Sequence, residues 1–119
     1  MISVDNREAA VAIVRGVAID YIDETASGVA GKHDAGGQSQ RRFERNRTAE
    51  LNKYYKRIAM DAKRLVEFHP IELFMSGPAD AKKKVYKRLD YRLRDIPVKF
   101  IDQEYSAYTG IVQTVNRLQ

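Results

Sequence analysis

The chain has 119 residues, 44% of them hydrophobic and 31% charged, with no cysteine and a formal net charge of +5. That length builds one domain around one core, the absence of cysteine excludes disulfides and thiolate metal sites, and no apolar stretch approaches the ~18 residues of a membrane span. With no targeting helix or signal peptide in its opening residues, the composition predicts a soluble, monomeric, cytoplasmic domain.

In chain order, Ala9 to Val14 is a short apolar run bounded by Glu8 and Arg15-Gly16, which predicts a buried strand. Val17 to Ile22 resumes at once, so Arg15-Gly16 is read as the tight turn of a hairpin, and Glu24 to Val29 as a third strand. Residues 30 to 38 hold three glycines in nine positions and read as an exposed loop. Ser39 is the expected N-cap of a long helix. Phe43, Leu51, Tyr54, Tyr55, Ile58, Ala62 and Leu65 fall on one stripe at three- and four-residue spacing, and that helix should end near Phe68, before Pro70. His69 is then expected at its C-terminal cap. Ile71 to Met75 predicts a strand, Pro78 the first turn of a second helix, Val98 to Ile101 a strand, and Tyr108 to Leu118 a closing helix; Tyr91 to Ile96 is ambiguous. The sum is an α/β domain: a mixed five-stranded sheet with helices packed on it, one of them long and preceded by an exposed glycine-rich loop.

Charge placement says more than the total. Residues 38 to 66 carry nine basic side chains (Arg41, Arg42, Arg45, Arg47, Lys53, Lys56, Arg57, Lys63, Arg64) against Glu44, Glu50 and Asp61. Residues 1 to 37 carry three basic and six acidic ones. A basic excess concentrated on one segment is the footprint expected for nucleic acid. Arg41 and Arg42 stand where the helix is expected to begin, where cations oppose the macrodipole, and a phosphate partner explains them better than helix stability does. The lysine run Lys82 to Lys84 reads as an ordinary solvated helix surface.

Most catalytic arrangements are absent from the sequence. Two distant histidines, His33 and His69, give neither a hydrolase triad nor a metal site, and no G-x-S-x-G elbow, P-loop or dinucleotide fingerprint occurs. Asp20, Asp23, Glu24 and Asp102 are a weak candidate for a nuclease-type metal cluster, so no metal and no cofactor is expected. What stands out is Gly36-Gly37-Gln38. Two glycines without Cβ atoms let the backbone approach a partner closely, and the glutamine after them brings a side-chain amide and a backbone N–H. Lys32 and His33 lie before the motif; Arg41, Arg42 and Arg45, suited to phosphate, follow it.

The run from Ser27 to Arg45, SGVAGKHDAGGQSQRRFER, closely resembles the central domain of the archaeal and eukaryotic class 1 peptide chain release factors, with flanks nearest the archaeal members. The resemblance extends to the opening hairpin, the long helix, Phe74-Met75-Ser76-Gly77-Pro78 and Tyr108-Thr109-Gly110. It implies a ribonuclease H-like fold of the translational-machinery type and a role in translation termination. Members promote hydrolysis of the peptidyl-tRNA ester in the ribosomal peptidyl transferase centre, so the domain acts with the ribosome rather than as a free-standing hydrolase.

On the same resemblance Gly36, Gly37 and Gln38 are the catalytic residues, and Lys32, His33, Arg41, Arg42 and Arg45 contact RNA. The Gln38 amide becomes a candidate for N-methylation by a glutamine methyltransferase. The implied partners are large-subunit ribosomal RNA, the acceptor end of the P-site peptidyl-tRNA, and a translational GTPase reached through a C-terminal domain that this chain lacks. Residues 1–119 are thus read as a single central domain excised from a three-domain factor. Two alternatives share the fold: a codon-independent ribosome rescue factor, and a non-catalytic surveillance domain, against which the glycine-glutamine motif argues.

Overall fold

The computed structural model describes residues 1–16, 18–28, 37–102 and 107–117. Its strands are β1 (Ile2–Val4), β2 (Glu8–Arg15), β3 (Ala18–Ala26), β4 (Leu73–Ser76) and β5 (Val98–Ile101). Its helices are α1 (Gly37–Ala62), continued by a 3-10 segment at Lys63–Phe68, then α2 (Ala79–Tyr86), α3 (Tyr91–Arg94) and α4 (Ala107–Arg117). One five-stranded sheet runs in the order β3-β2-β1-β4-β5. The β3-β2-β1 side is antiparallel, and β1, β4 and β5 run parallel. The mixed five-stranded sheet with packed helices is therefore as expected.

Each face of the sheet has its own core. Alternation along the strands sends Ile2, Val4, Ala9, Val11, Ile13, Leu73 and Met75 to one face, under α1, α2 and α3. Met1, Ala10, Ala12 and Phe74 turn to the other, against Ile111 and Val115 of α4. The long helix presents the predicted stripe: Leu51, Tyr54, Tyr55, Ile58, Ala62 and Leu65 are all buried. Phe43, expected on the same stripe, has its side chain outside the described set.

The strand boundaries differ from expectation in three places. β1 was not foreseen, because three residues at the start of the chain are too few to show a period. Of the strand expected at Glu24 to Val29, Glu24 to Ala26 form the end of β3, which pairs with β2 from Arg15↔Ala18 to Glu8↔Ala26 with a register shift between Ile13 and Val14; Val29 lies outside the described residues. The polar Asp23-Glu24 pair is tolerated because β3 is an edge strand. Pairing of β4 begins at Leu73, whose N–H donates to the Pro97 carbonyl at 2.8 Å, and Ile71 is left 88% exposed.

Turns follow their residue chemistry. Gly16 takes φ +61° in the β2–β3 hairpin. Gly77 takes φ +124°, and a Cβ there would stand 1.9 Å from the Val4 carbonyl oxygen, so only glycine lets β4 leave the sheet beside β1. His69 caps the 3-10 segment in the left-handed region (φ 50°), its N–H donating to Val66, which matches its predicted capping role. The ambiguous 91–96 stretch is the short helix α3, capped by Asp90, whose carboxylate accepts from the Arg92 N–H at 2.9 Å.

Candidate functional site

The site is built on α1, and α1 has two unlike halves. From Leu51 onward it is anchored to the sheet. The Tyr54 hydroxyl donates to the Asp5 carbonyl at 3.0 Å, Arg57 Nη2 to the Ala26 carbonyl at 3.1 Å, and Thr25 Oγ1 to Asp61 Oδ2 at 3.1 Å. Arg57 also lies 6.0 Å from the centre of the Tyr54 ring. Burial first, and then the nearby Asp5 carboxylate, push the Tyr54 hydroxyl well above the usual phenol range; burial does the same for Tyr55. Both are neutral structural phenols.

The other half projects. Among the described side chains from Arg41 to Glu50, none is buried and only Arg47 is half-covered. At 1.5 Å per residue, the fourteen residues from Gly37 to Glu50 reach about 21 Å beyond the anchored part. The domain is correspondingly long, 51 × 27 × 19 Å.

Two of the motif's three residues, Gly37 and Gln38, lie at the far end of that projection. Gly37 and Gln38 are the first two residues of α1, so they belong to a helical turn rather than to the loop predicted for residues 30 to 38. Ser39 is consequently the third residue of the helix and not its N-cap. The reason is local: from Gly37 to Arg47 there is no proline and no β-branched residue to stop the helix from reaching back. The first N–H groups of a helix have no intrahelical acceptor, and those of Gly37 and Gln38 fall in this class. Gly36, Lys32 and His33 lie outside the described residues, as does the Gln38 side chain.

Arg41, Arg42 and Arg45 are all exposed. Arg41 and Arg45, one turn apart, line a shallow groove with Glu44 and Thr48, whereas Arg42 points about 100° away around the helix. With the helix starting at Gly37, Arg41 and Arg42 stand in its second turn. The dipole penalty expected for them has largely faded there, so their support for a phosphate partner comes from exposure and clustering instead.

One further expectation changes. Lys82 is not a solvated surface lysine: it is 3% exposed, and its Nζ donates to Asp102 Oδ1 at 2.6 Å, tying α2 to the end of β5. The Lys82 ammonium, mainly by this hydrogen bond, holds the Asp102 carboxyl below its ordinary range. The spacing held the signal, because Lys82 falls with Ala81, Val85 and Leu89 on the face of α2 that packs inward. The acidic residues considered for metal do not converge. Asp20 pairs with Arg15 at 2.8 Å and Asp23 lies 4.0 Å from Arg64, both on edge strand β3. Asp102 follows β5 at the opposite edge, four strand spacings or about 19 Å away. Among the described residues no three acidic or histidine side chains gather.

This arrangement of hairpin, long helix and parallel edge has known counterparts. The family profile described as eRF1 domain 2 matches residues 1–119. The chain belongs to the eRF1 domain 2 family. Among similar proteins, the peptide chain release factor subunit 1 of Methanobrevibacter smithii is 32% identical over 120 residues, covering 96% of this chain and 29% of the relative. Its counterpart in Thermococcus kodakarensis is 33% identical over 124 residues, covering 98% of this chain and 30% of the relative. The chain therefore spans less than a third of these relatives' length. A solved structure described as an archaeal protein superposes with a TM-score of 0.70 at 20% identity, covering 95% of this chain and 31% of that one, which establishes the shared fold.

Proposed function

We propose that this domain serves translation termination by promoting hydrolysis of the peptidyl-tRNA ester inside the large ribosomal subunit, through Gly36, Gly37 and Gln38. The observation that carries the reading is the place of the motif. In a chain of the eRF1 domain 2 family, its Gly37 and Gln38 open a helix that projects about 21 Å from its anchored half.

Attack of water on the ester builds negative charge on the carbonyl oxygen, and a fixed N–H donor stabilises that charge as it develops. The Gln38 backbone N–H suits the task. It belongs to the first turn of α1, whose N–H groups have no acceptor within the helix, at the positive end of the helix, and the glycines before it add no side chain between donor and ester. Such a donor is worth roughly 3 kcal/mol, about a hundredfold in rate. The Gln38 side-chain amide orders the attacking water, which is positioning rather than acid–base chemistry. Lys32, His33, Arg41, Arg42 and Arg45 hold the tip against ribosomal and transfer RNA phosphates. Peptidyl-tRNA and ribosomal RNA complete the site.

In the same reading the chain is the middle domain of a longer cytoplasmic factor, which engages a translational GTPase through a domain outside this chain, and a methyltransferase modifies Gln38. Release from programmed ribosomes carrying labelled peptidyl-tRNA tests the core of it. Gln38→Ala and Gly36→Ala in the full-length factor should each lower the release rate about a hundredfold or more while ribosome binding stays within about threefold. Near-normal release by both variants refutes the assignment.

A further inference from the structure

The seam between α1 and α2 carries a second group of cations, apart from the arginines near the motif. Arg88, in the turn after α2, makes two hydrogen bonds, Nη1 to the Lys84 carbonyl of α2 (2.7 Å) and Nη2 to Asn52 Oδ1 of α1 (3.5 Å). Lys84 Nζ lies 5.9 Å from the centre of the Tyr55 ring on α1 and 3.3 Å from Asp80. Lys87 stands one turn beyond Lys84 and is exposed. On α1, Arg41, Arg45 and Asn52 recur at four- and seven-residue spacing, which keeps them on one face. Because Arg88 meets Asn52, the seam cations continue that face. From Arg41 to Asn52 is eleven residues, or about 17 Å of helix.

We propose that this face is a track for the phosphate backbone of RNA, running from the motif end of α1 to the seam with α2. Five cations (Arg41, Arg45, Lys84, Lys87, Arg88) stand against two carboxylates, Glu44 and Asp80, the latter 3.3 Å from Lys84, so the track carries a net positive charge concentrated at its two ends. Among the described residues it also lacks the apolar anchors of a protein interface. The large exposed apolar residues among those described are Met60, Phe68, Ile71, Tyr91 and Phe100, and none lies on α2 or on α1 before Asn52. Protein interfaces take their affinity from buried aromatic and apolar anchors, whereas phosphate backbones need only spaced donors and charge. Arg88 spends two of its five N–H donors on the fold and holds its plane fixed for an incoming phosphate, which lowers the ordering cost of binding.

The proposal extends the RNA reading of the motif end to a new surface, and its test needs no ester hydrolysis. The probe is a fluorescently labelled 16-base-pair RNA hairpin, with affinity measured by anisotropy across a salt series. Removing three phosphate contacts in Lys84→Ala/Lys87→Ala/Arg88→Ala should flatten the slope of log affinity against log salt by about 2 to 3 and weaken binding about a hundredfold near physiological salt. Lys53→Ala/Arg94→Ala/Lys99→Ala removes the same charge elsewhere and should leave the slope within about 0.5. Lys87→Ala alone, at a site that anchors nothing between α1 and α2, should flatten it by about 1. The proposal is overturned if the two triple variants behave alike, if the seam variants keep the original slope, or if a polyglutamate peptide of equal charge competes as well as unlabelled RNA. Loss of release activity in Gln38→Ala with the hairpin slope unchanged is the expected separation of the two sites.

Discussion

Gly77→Ala is the sharpest perturbation of the scaffold that carries the motif. The added methyl carbon would sit 1.9 Å from the Val4 carbonyl oxygen and 3.0 Å from its carbon, both backbone atoms of the neighbouring strand. No rotamer relieves a Cβ, so β1 or β4 must move by more than an ångström. The move also strains the Gly77 N–H hydrogen bond to Ile101, 3.2 Å long, on the other side. A φ of +124° adds about 1 to 3 kcal/mol for a residue with a side chain, and overpacking a filled site costs a similar amount. The sum is about 2 to 6 kcal/mol, a large part of the stability of a domain this size. Gly16→Ala is the matched control: φ is +61° and nothing lies within 4 Å of the added methyl, so it carries the conformational term alone, about 1 to 2 kcal/mol. Urea unfolding followed by circular dichroism at constant m-value measures both. If Gly77→Ala destabilises no more than Gly16→Ala, the close approach of β1 and β4 is not what the glycine serves and the reasoning fails.

Other expectations concern charge and the projecting helix. The Asp90 carboxyl is held down to about 2, first by its side-chain hydrogen bonds with Arg92 and then by the Arg92 N–H. A lowered carboxyl stabilises the fold above its unfolded value near 3.9 and loses that contribution as pH falls toward 2. Asp90→Asn should therefore flatten the acid limb of stability between about pH 4 and 2, read by urea unfolding across that range. Lys82→Met should leave stability within about 1.5 kcal/mol, because the hydrophobic chain fills the same buried space and leaves exposed Asp102 hydrated. Asp102→Ala, which strips a buried ammonium of its carboxylate, should destabilise more; the reverse order in thermal melts contradicts the assigned burial. Ala49→Pro breaks α1 in its projecting half, at a cost of about 3 kcal/mol to the helix, and should cut peptide release while the sheet's unfolding transition persists. Unchanged release would mean that a continuous helix is not needed.

What the sequence disclosed followed from how much periodicity each segment could display. The buried stripe from Leu51 to Leu65 spans four turns and is written in residue type, so it was legible, as were the hairpin around Gly16 and the proline-led start of α2. β1 was not, since Ile2, Ser3 and Val4 are too few to distinguish a strand from an apolar terminus. Lys82 is hidden from a reading by residue type, because three consecutive lysines look solvated, yet only Lys83 is fully so, Lys82 being buried and Lys84 half-covered against Tyr55. Composition puts the start of α1 three residues late, at Gln40 after an N-cap at Ser39 rather than at Gly37, because composition alone cannot rank a cap against a helix that has no reason to stop. The motif itself was readable because Gly36-Gly37-Gln38 is identity rather than pattern.

An isolated helix of fourteen residues is marginal in water, and the projecting half of α1, with a basic excess and no buried side chain among those described, has little of its own to hold it. It persists because it is the continuation of twelve anchored residues, for which nucleation has already been achieved by packing on the sheet. Stability and reach are thus divided along one element. Leu51 to Ala62 supply the burial, and residues 37 to 50 present backbone donors and cations; of their described side chains none is buried and only Arg47 is half-covered. A partner that binds the projecting half gains a helix already formed, without the ordering cost that a loop of equal length would impose. Within α1, substitutions of the buried residues from Leu51 to Ala62 should therefore act through folding, and those of the exposed cations from Arg41 to Arg45 through the partner.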